Sequence, residues 1–212
     1  MSLILFYKNL LTTNWLWIKK ILIWILIWFI IGGLTPLFLP GVAHFFIESI
    51  ITFFKKILGD GGSALDLSTV WIIFSQNARA MLIMLFLGIV VGIVPRLSTA
   101  FNFFIIGIVF VLTLERNLLG GLLFILLLMP HGIFEISALV ISAAFGLRLG
   151  LFWKINKPEL KNKQKFVLAL KQNVQLVPLI ILLLVCAAFM EVFVSGHLSQ
   201  MLSAHIKISS LS

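Results

Sequence analysis

Residues 118–150, LLGGLLFILLLMPHGIFEISALVISAAFGLRLG, form an apolar stretch that is too long for one ordinary membrane crossing. A straight helix of this length would extend about 50 Å, whereas the hydrocarbon core of a bilayer is about 30 Å thick. Pro130 and Gly132 interrupt the stretch near its middle. Because proline cannot continue the hydrogen bonds of a preceding helix, the sequence predicts a broken or re-entrant element, with the span proper after Pro130.

The composition indicates an integral membrane protein. Of the 212 residues, 61% are hydrophobic and 11% are charged, a balance that no soluble domain of this size could carry. The formal net charge is +9. In a membrane protein basic residues mark cytoplasmic loops, so nucleic acid is not an expected partner. The single cysteine, Cys186, excludes an intrachain disulfide, and the sequence predicts no cofactor and no metal site.

Further apolar stretches complete an all-α, polytopic transmembrane helix bundle of about five spans. A helical span needs about 20 apolar residues. The predicted spans are residues 21–39, 80–94 and 97–114, the broken element within 118–150, and residues 176–194. We predict that the whole chain, residues 1–212, is one integral membrane domain, with the first span acting as a retained signal anchor.

Two segments between the spans have amphipathic patterns. Residues 40–66 are predicted to form an external interfacial helix followed by a glycine-rich linker. Residues 151–175 are predicted to form a cytoplasmic, basic, amphipathic loop that contains a helix over residues 158–174. The apolar face of that helix is predicted to consist of Phe166, Leu170 and Val174.

The distribution of basic residues orients the spans. Lysines precede the first span, Arg96 lies between the second and third, and seven cations from Arg148 to Lys171 precede the last. These sets alternate correctly for cytoplasmic loops if residues 118–150 cross the membrane once. The sequence therefore predicts a multi-pass cell-membrane protein with a cytoplasmic N-terminus, cytoplasmic residues 151–175 and an external C-terminus.

Polar residues at membrane depth predict a site in the outer half of the bundle, because an unpaired charge in the bilayer core is costly. His131 and Glu135 are four residues apart, hence on one helical face, and Arg79 is a nearby cation. The predicted cluster consists of His131, Glu135, Arg79, Asn77 and Glu191. Three interpretations stay open: a structural ion-pair network, a cavity that binds a ligand or ion, and a metal-dependent or general-base catalytic site.

Small residues on the apolar segments predict a homodimer, since they permit close contact between helices in lipid. These residues are Gly88, Gly92, Gly120, Gly121 and Gly146. Packing within one bundle would explain them as well.

Four segments carry a family resemblance. NARAMLIMLFLGIVVGI, FNFFIIGIV, LMPHGIFEISALVISAAFGLRLG and AAFMEVFVS together resemble the stage II sporulation protein M family of integral membrane proteins. The resemblance covers roughly residues 70–195, and its most specific motif is Pro-His-Gly-x-x-Glu. In that family the residues corresponding to Asn77, Asn102 and Glu191 recur, which adds Asn102 to the predicted binding residues. The family has glycine after the second asparagine, whereas this chain has Phe103.

The resemblance implies a membrane scaffold, since the founding member in sporulating bacteria looks like one that recruits cell-wall hydrolases. We therefore predict a scaffold or assembly protein, rather than an enzyme, that recruits partner proteins at the cell membrane. The alternatives are a transporter or permease-like component, suggested by the broken helix, and an intramembrane hydrolase that uses His131 and Glu135. The expected partners are the lipid bilayer, a second copy of the chain and other membrane-associated proteins.

Overall fold

A computed structural model describes residues 2–58, 67–116 and 118–195, and the regular structure within them is helical. The helices are α1 (Leu3–Thr13), α2 (Trp15–Phe38), α3 (Pro40–Leu58), α4 (Leu67–Leu87), α5 (Ile93–Arg116), α6 (Leu118–Gly150) and α7 (Asn162–Phe189), with a 3-10 turn at Phe152–Lys154 and a π-helical turn at Met190–Ser195. Five segments, in α2, α4, α5, α6 and α7, are long and apolar enough to cross a membrane. The predicted all-α, five-span bundle is confirmed.

Helix α6 forms the core of the bundle. Every residue from Ala138 to Gly150 is buried, and α2, α4, α5 and α7 all contact this helix. A membrane helix that is apolar on all sides can be surrounded by lipid or by other helices, and this half of α6 is surrounded by helices. Glycine permits the close approach of α4: a Cβ on Gly146 would overlap the backbone of Met84, and a Cβ on Gly150 would overlap that of Gly88.

Helices α2 and α5 run parallel and make the most extensive contact between helices. Trp24 of α2 donates a hydrogen bond from Nε1 to the carbonyl oxygen of Arg96 in the first turns of α5, at 3.0 Å. Further along both helices, Gly32 lies directly against the backbone of Phe104. Both helices therefore begin at the same end of the bundle.

Helix α4 runs parallel to α6, as the two glycine contacts show, and antiparallel to α7. Asn173 of α7 reaches Leu85 near the end of α4, whereas Ala188 packs with Val70 near its start. The basic residues before the first, third and last spans consequently lie at one end of the bundle, which we call the basic end. It carries the starts of α2, α5 and α7 and the end of α6.

The predicted break at Pro130 is wrong. Helix α6 continues from Leu118 through Pro130 to Gly150. Proline removes one backbone hydrogen bond from a helix. The half that follows is held on all sides by other helices, and this packing stabilises α6 despite the missing bond. The expectation that the membrane span follows Pro130 is retained, because the segment of α6 that is long and apolar enough to cross a membrane begins at Gly132.

The second span also differs from its predicted bounds of residues 80–94, because residues 88–92 form a turn between α4 and α5. Val91 and Gly92 have φ angles of 52° and 66°, in the left-handed region that is unfavourable for valine. Arg96 stabilises the turn by donating from Nε to the Gly92 carbonyl at 2.9 Å and from Nη2 to the Val91 carbonyl at 2.7 Å. Hydropathy could not reveal this turn, since all five of its residues are apolar or glycine.

The basic segment before the last span is largely helical. Helix α7 begins at Asn162 and continues without interruption into the span. Of the predicted apolar face, Phe166 packs edge-on against Phe152, with ring centroids 5.4 Å apart, but Leu170 and Val174 are 37% and 56% exposed. The buried face of this helix consists instead of Ala169, Asn173, Leu176, Ile180, Leu184, Ala187 and Ala188.

Helix α3 covers part of the predicted external segment. Its Phe46 ring lies 6.5 Å from that of Phe101 and 5.3 Å from that of Phe104, both in the first half of α5. The helix therefore runs back along the side of the bundle, at the level of those two rings. The linker predicted at residues 59–66 lies outside the described residues.

Candidate functional site

Two of the predicted site residues lie exposed on the α4–α5 hairpin. Arg79 is exposed on α4, and Asn102 is exposed on α5, where its Nδ2 donates to the carbonyl oxygen of Ser98 at 2.8 Å. Arg79 lies nine residues before Gly88 and Asn102 ten residues after Gly92. Because the helices of a hairpin run antiparallel, the two side chains are at nearly the same height, about 14 Å from the turn.

The acid of the Pro-His-Gly-x-x-Glu motif lies inside the bundle. Glu135 is half-buried on α6. The glycine contacts between α4 and α6 place Arg79 level with Ile141, which is six residues beyond Glu135. This corresponds to about 9 Å along the helix axis. His131 lies on α6 one turn before Glu135, and its side chain is outside the part of the chain that the structure describes.

The second predicted acid lies further still from Arg79. Glu191 is half-buried in the π-helical turn that follows α7. Its neighbour Val192 packs with Val70 near the start of α4, nine residues before Arg79. This separation is about 14 Å along the axis.

The ion pairs predicted for Arg79 do not occur among the described residues. Arg79 makes no contact of 4 Å or less with the carboxylate of Glu135 or Glu191. The structure therefore divides the predicted residues into an exposed pair, Arg79 and Asn102, and inner residues, with Asn77 half-buried on α4 between them. The role of these residues in binding stays a prediction.

None of the buried polar residues in the described part of the chain was among the predicted site residues, and two of them, Asn173 and Arg148, hold positions between helices. Asn173 is fully buried and donates from Nδ2 to the carbonyl oxygen of Leu85 at 2.7 Å. That carbonyl belongs to the last turn of α4, where helical acceptors lack helical partners. The sequence contained a signal for this position, because Asn173 follows the same spacing as the buried residues of α7.

Arg148 was assigned to the basic loop, but it is only 2% exposed in the last turn of α6. Its guanidinium carbon lies 6.0 Å from the centre of the Phe145 ring. A cation in this position interacts favourably with the carbonyl end of the helix and with the aromatic face. Arg148 lies in a stretch of otherwise apolar and small residues, which could have indicated from the sequence that its side chain is buried.

The surface grooves next to Glu135 are apolar. One of about 420 Å³ lies between α2, α5 and α6 and includes Phe29, Phe103 and Ile136. A second, of about 350 Å³, runs along α6 and includes Met129, Ile133 and Ile136. Their linings match acyl chains better than a polar solute.

The fold and these residues together define a multi-pass α-helical membrane protein with a central helix that is surrounded over its second half and with polar residues at mid-height. The model of the stage II sporulation protein M family matches residues 21–196. The chain belongs to this family, as its four motif segments predicted. An uncharacterized protein of Methanocaldococcus jannaschii is 32% identical over 133 residues, which are 61% of this chain and 72% of that relative. No solved structure matches the chain.

Proposed function

We propose that this chain is a membrane scaffold that recruits partner proteins through the exposed basic surface at the start of α7. The observation that carries the proposal is the continuity of α7, which has 28 residues. A helix of this length extends about 42 Å and so exceeds the hydrocarbon core by about 12 Å. Its first turns therefore project from the basic end while its later turns pack in the bundle.

The projecting turns combine positive charge with apolar surface. Lys163 and Lys171 are exposed, and Val167 is exposed between them. They line a shallow groove on α7 together with Leu160, Gln164 and Leu168. The nearby acid Glu159 lies 3.9 Å from Lys157, so its charge is paired with Lys157 and not with the lysines of the groove. Such a surface is complementary to an acidic, amphipathic segment of a partner protein.

Family membership supports the scaffold, and the positive-inside rule places its basic surface in the cytoplasm. In this orientation the N-terminus is also cytoplasmic and the C-terminus is external. The transporter alternative drew its support from a broken helix at Pro130, and the continuous α6 removes that support.

The proposal can be tested by affinity purification from native membranes, with quantitative mass spectrometry of the co-purified proteins. We expect Lys163→Glu/Lys171→Glu to reduce the principal partners at least tenfold. Lys154→Glu/Lys157→Glu is the matched control, because it changes two exposed lysines of the same basic segment by the same charge and both lie outside the groove. Equal recovery of partners by both variants would contradict the proposal.

Anionic lipid is the competing ligand for a basic surface. The purified chain should be reconstituted into nanodiscs of zwitterionic lipid only and mixed with the identified partner. We expect binding to persist and to require Lys163 and Lys171. Binding that needs anionic lipid in the same disc would show a lipid-binding surface and overturn protein recruitment.

A further inference from the structure

Arg79 carries a charge at a depth where the bilayer offers no counter-charge. Helix α4 has 21 residues, about 31 Å, which is close to the thickness of the hydrocarbon core. Arg79 is twelve residues from the start of this helix and eight from its end, or about 18 and 12 Å. Arginine near the end of a span can extend to the headgroups, but one near the middle needs a partner within the membrane.

The acid with matching exposure and height is Glu48 of α3. Three of the acids in the described residues are exposed, and Glu115 and Glu159 lie at a helix end and in a loop outside the spans. Glu48 is two residues beyond Phe46, which contacts Phe101 beside Asn102. Glu48 is therefore within about one helical turn of the height of Asn102.

Exposed residues at nearly the same height on helices α3, α4 and α5 define what we call the α3–α5–α4 surface: Glu48, Phe101, Asn102, Gln76 and Arg79. The side chains of all five residues are exposed. Helix α5 contacts both α3 and α4, so it connects the acid-bearing helix with the cation-bearing helix. Neither Glu48 nor Arg79 forms an ion pair with another described residue.

We propose that a second copy of this chain docks on the α3–α5–α4 surface. A twofold axis near Asn102 brings Arg79 of each copy to Glu48 of the other, so that one surface contains both members of two identical pairs. Each pair removes a charge from contact with lipid, and the two Asn102 side chains meet near the axis, where they can hydrogen-bond.

The proposal does not depend on the glycines that suggested a dimer from the sequence. Gly88 and Gly146 are occupied in the contact of α4 with α6, and Gly121 packs against Leu114. By contrast, only 22% of the α4 span is buried within the chain. Its exposed side, which carries Gln76 and Arg79, is therefore available to a second copy, and the dimer is independent of the scaffold function proposed above.

A charge exchange tests the pairing. The oligomeric state of the full chain is measured in lipid nanodiscs or by light scattering with the detergent contribution subtracted. We expect a wild-type dimer, at least a tenfold loss of dimer for Glu48→Arg or Arg79→Glu, and recovery for the variant with both changes. Lys171→Glu, a charge change outside this surface, is expected to leave the dimer intact. A monomeric wild type, or a double variant no more dimeric than the single ones, would overturn the proposal.

A cross-linking measurement avoids dependence on charge variants that fold poorly. In a Cys186→Ser background, which has no other cysteine, one tagged chain carries Glu48→Cys and a differently tagged chain carries Arg79→Cys. We expect a bifunctional thiol-reactive cross-linker to join the two tags, because the long side chains of an Arg–Glu pair hold the backbones too far apart for a direct disulfide. Tyr7→Cys, on α1 away from this surface, replaces Arg79→Cys in the control and should give no link. Equal yields from both mixtures would refute the interface.

Discussion

Helices α6 and α4 have the same mean hydropathy over their membrane segments but opposite surroundings. Of the α6 segment 67% is buried within the chain, against 22% of the α4 segment. Residues 138–150 of α6 include alanine, glycine and serine, which allow other helices to approach on every side. Helix α4 carries bulky side chains, Gln76 and Arg79 on its exposed side. In a bilayer, side-chain size and polar groups decide which helix becomes the core, because apolar character is common to all of them.

We expect the largest loss of stability from a bulky side chain placed at the contact between α4 and α6. Gly146→Leu should destabilise the protein by at least about 3 kcal/mol, since overpacking against backbone cannot be relieved by a side-chain movement. Gly41→Leu is the control, because a Cβ there has no neighbour within 4 Å. Reversible unfolding in mixed micelles measures both variants, and similar stabilities would contradict the close packing of α6.

We expect the second largest loss of stability from a substitution at Asn173, because this fully buried side chain joins α7 to the last turn of α4. Asn173→Leu is expected to cost about 1–3 kcal/mol, the penalty for leaving a buried carbonyl without its donor. Asn9→Leu, an exposed change on α1, provides the control. An unfolding free energy equal to that of the control would show that the bond to Leu85 contributes nothing.

Pro130 tests whether α6 is one helix or two. In a continuous helix, Pro130→Ala restores a backbone donor and should stabilise the protein by about 1 kcal/mol, less than the ~3 kcal/mol of an unadapted proline. The unfolding free energy measures this, and the labelling pattern of cysteines placed at Leu122 and Ser137 should stay unchanged. Loss of insertion or a reversed labelling pattern would instead support the broken element.

The smallest expected effect concerns Arg79. Because Arg79 is exposed and makes no ion pair with the inner acids, Arg79→Leu should not lower the stability of the dissociated monomer, and removal of an unpaired charge at membrane depth should raise it slightly. The measurement is the unfolding free energy in detergent at a concentration where the dimer has dissociated. A loss of several kcal/mol would place Arg79 in the internal polar network that the sequence suggested.

For the candidate site too, some features could be predicted from the sequence, whereas others depend on how the helices pack. The sequence predicted Arg79 just before the second span, because it began that span at residue 80, whereas α4 begins at Leu67 and carries Arg79 near its middle. It could not separate exposed Arg79 from half-buried Glu135, because the relative heights and faces of two helices depend on how they pack. Asn173 and Arg148 illustrate the same limit: their residue types suggested loop or topology, and only the neighbouring helices bury them.

The sequence by itself determined the membrane class, the number of spans, the family and the grouping of basic residues, because lipid imposes rules on length and charge that act on each segment separately. The tertiary structure decided that α6 passes through Pro130, that residues 88–92 turn, and that α6 is central. Each of these depends on the balance between a local cost, such as a missing hydrogen bond or a left-handed valine, and the packing of helices distant in sequence. That balance is a property of the folded bundle and not of any single segment.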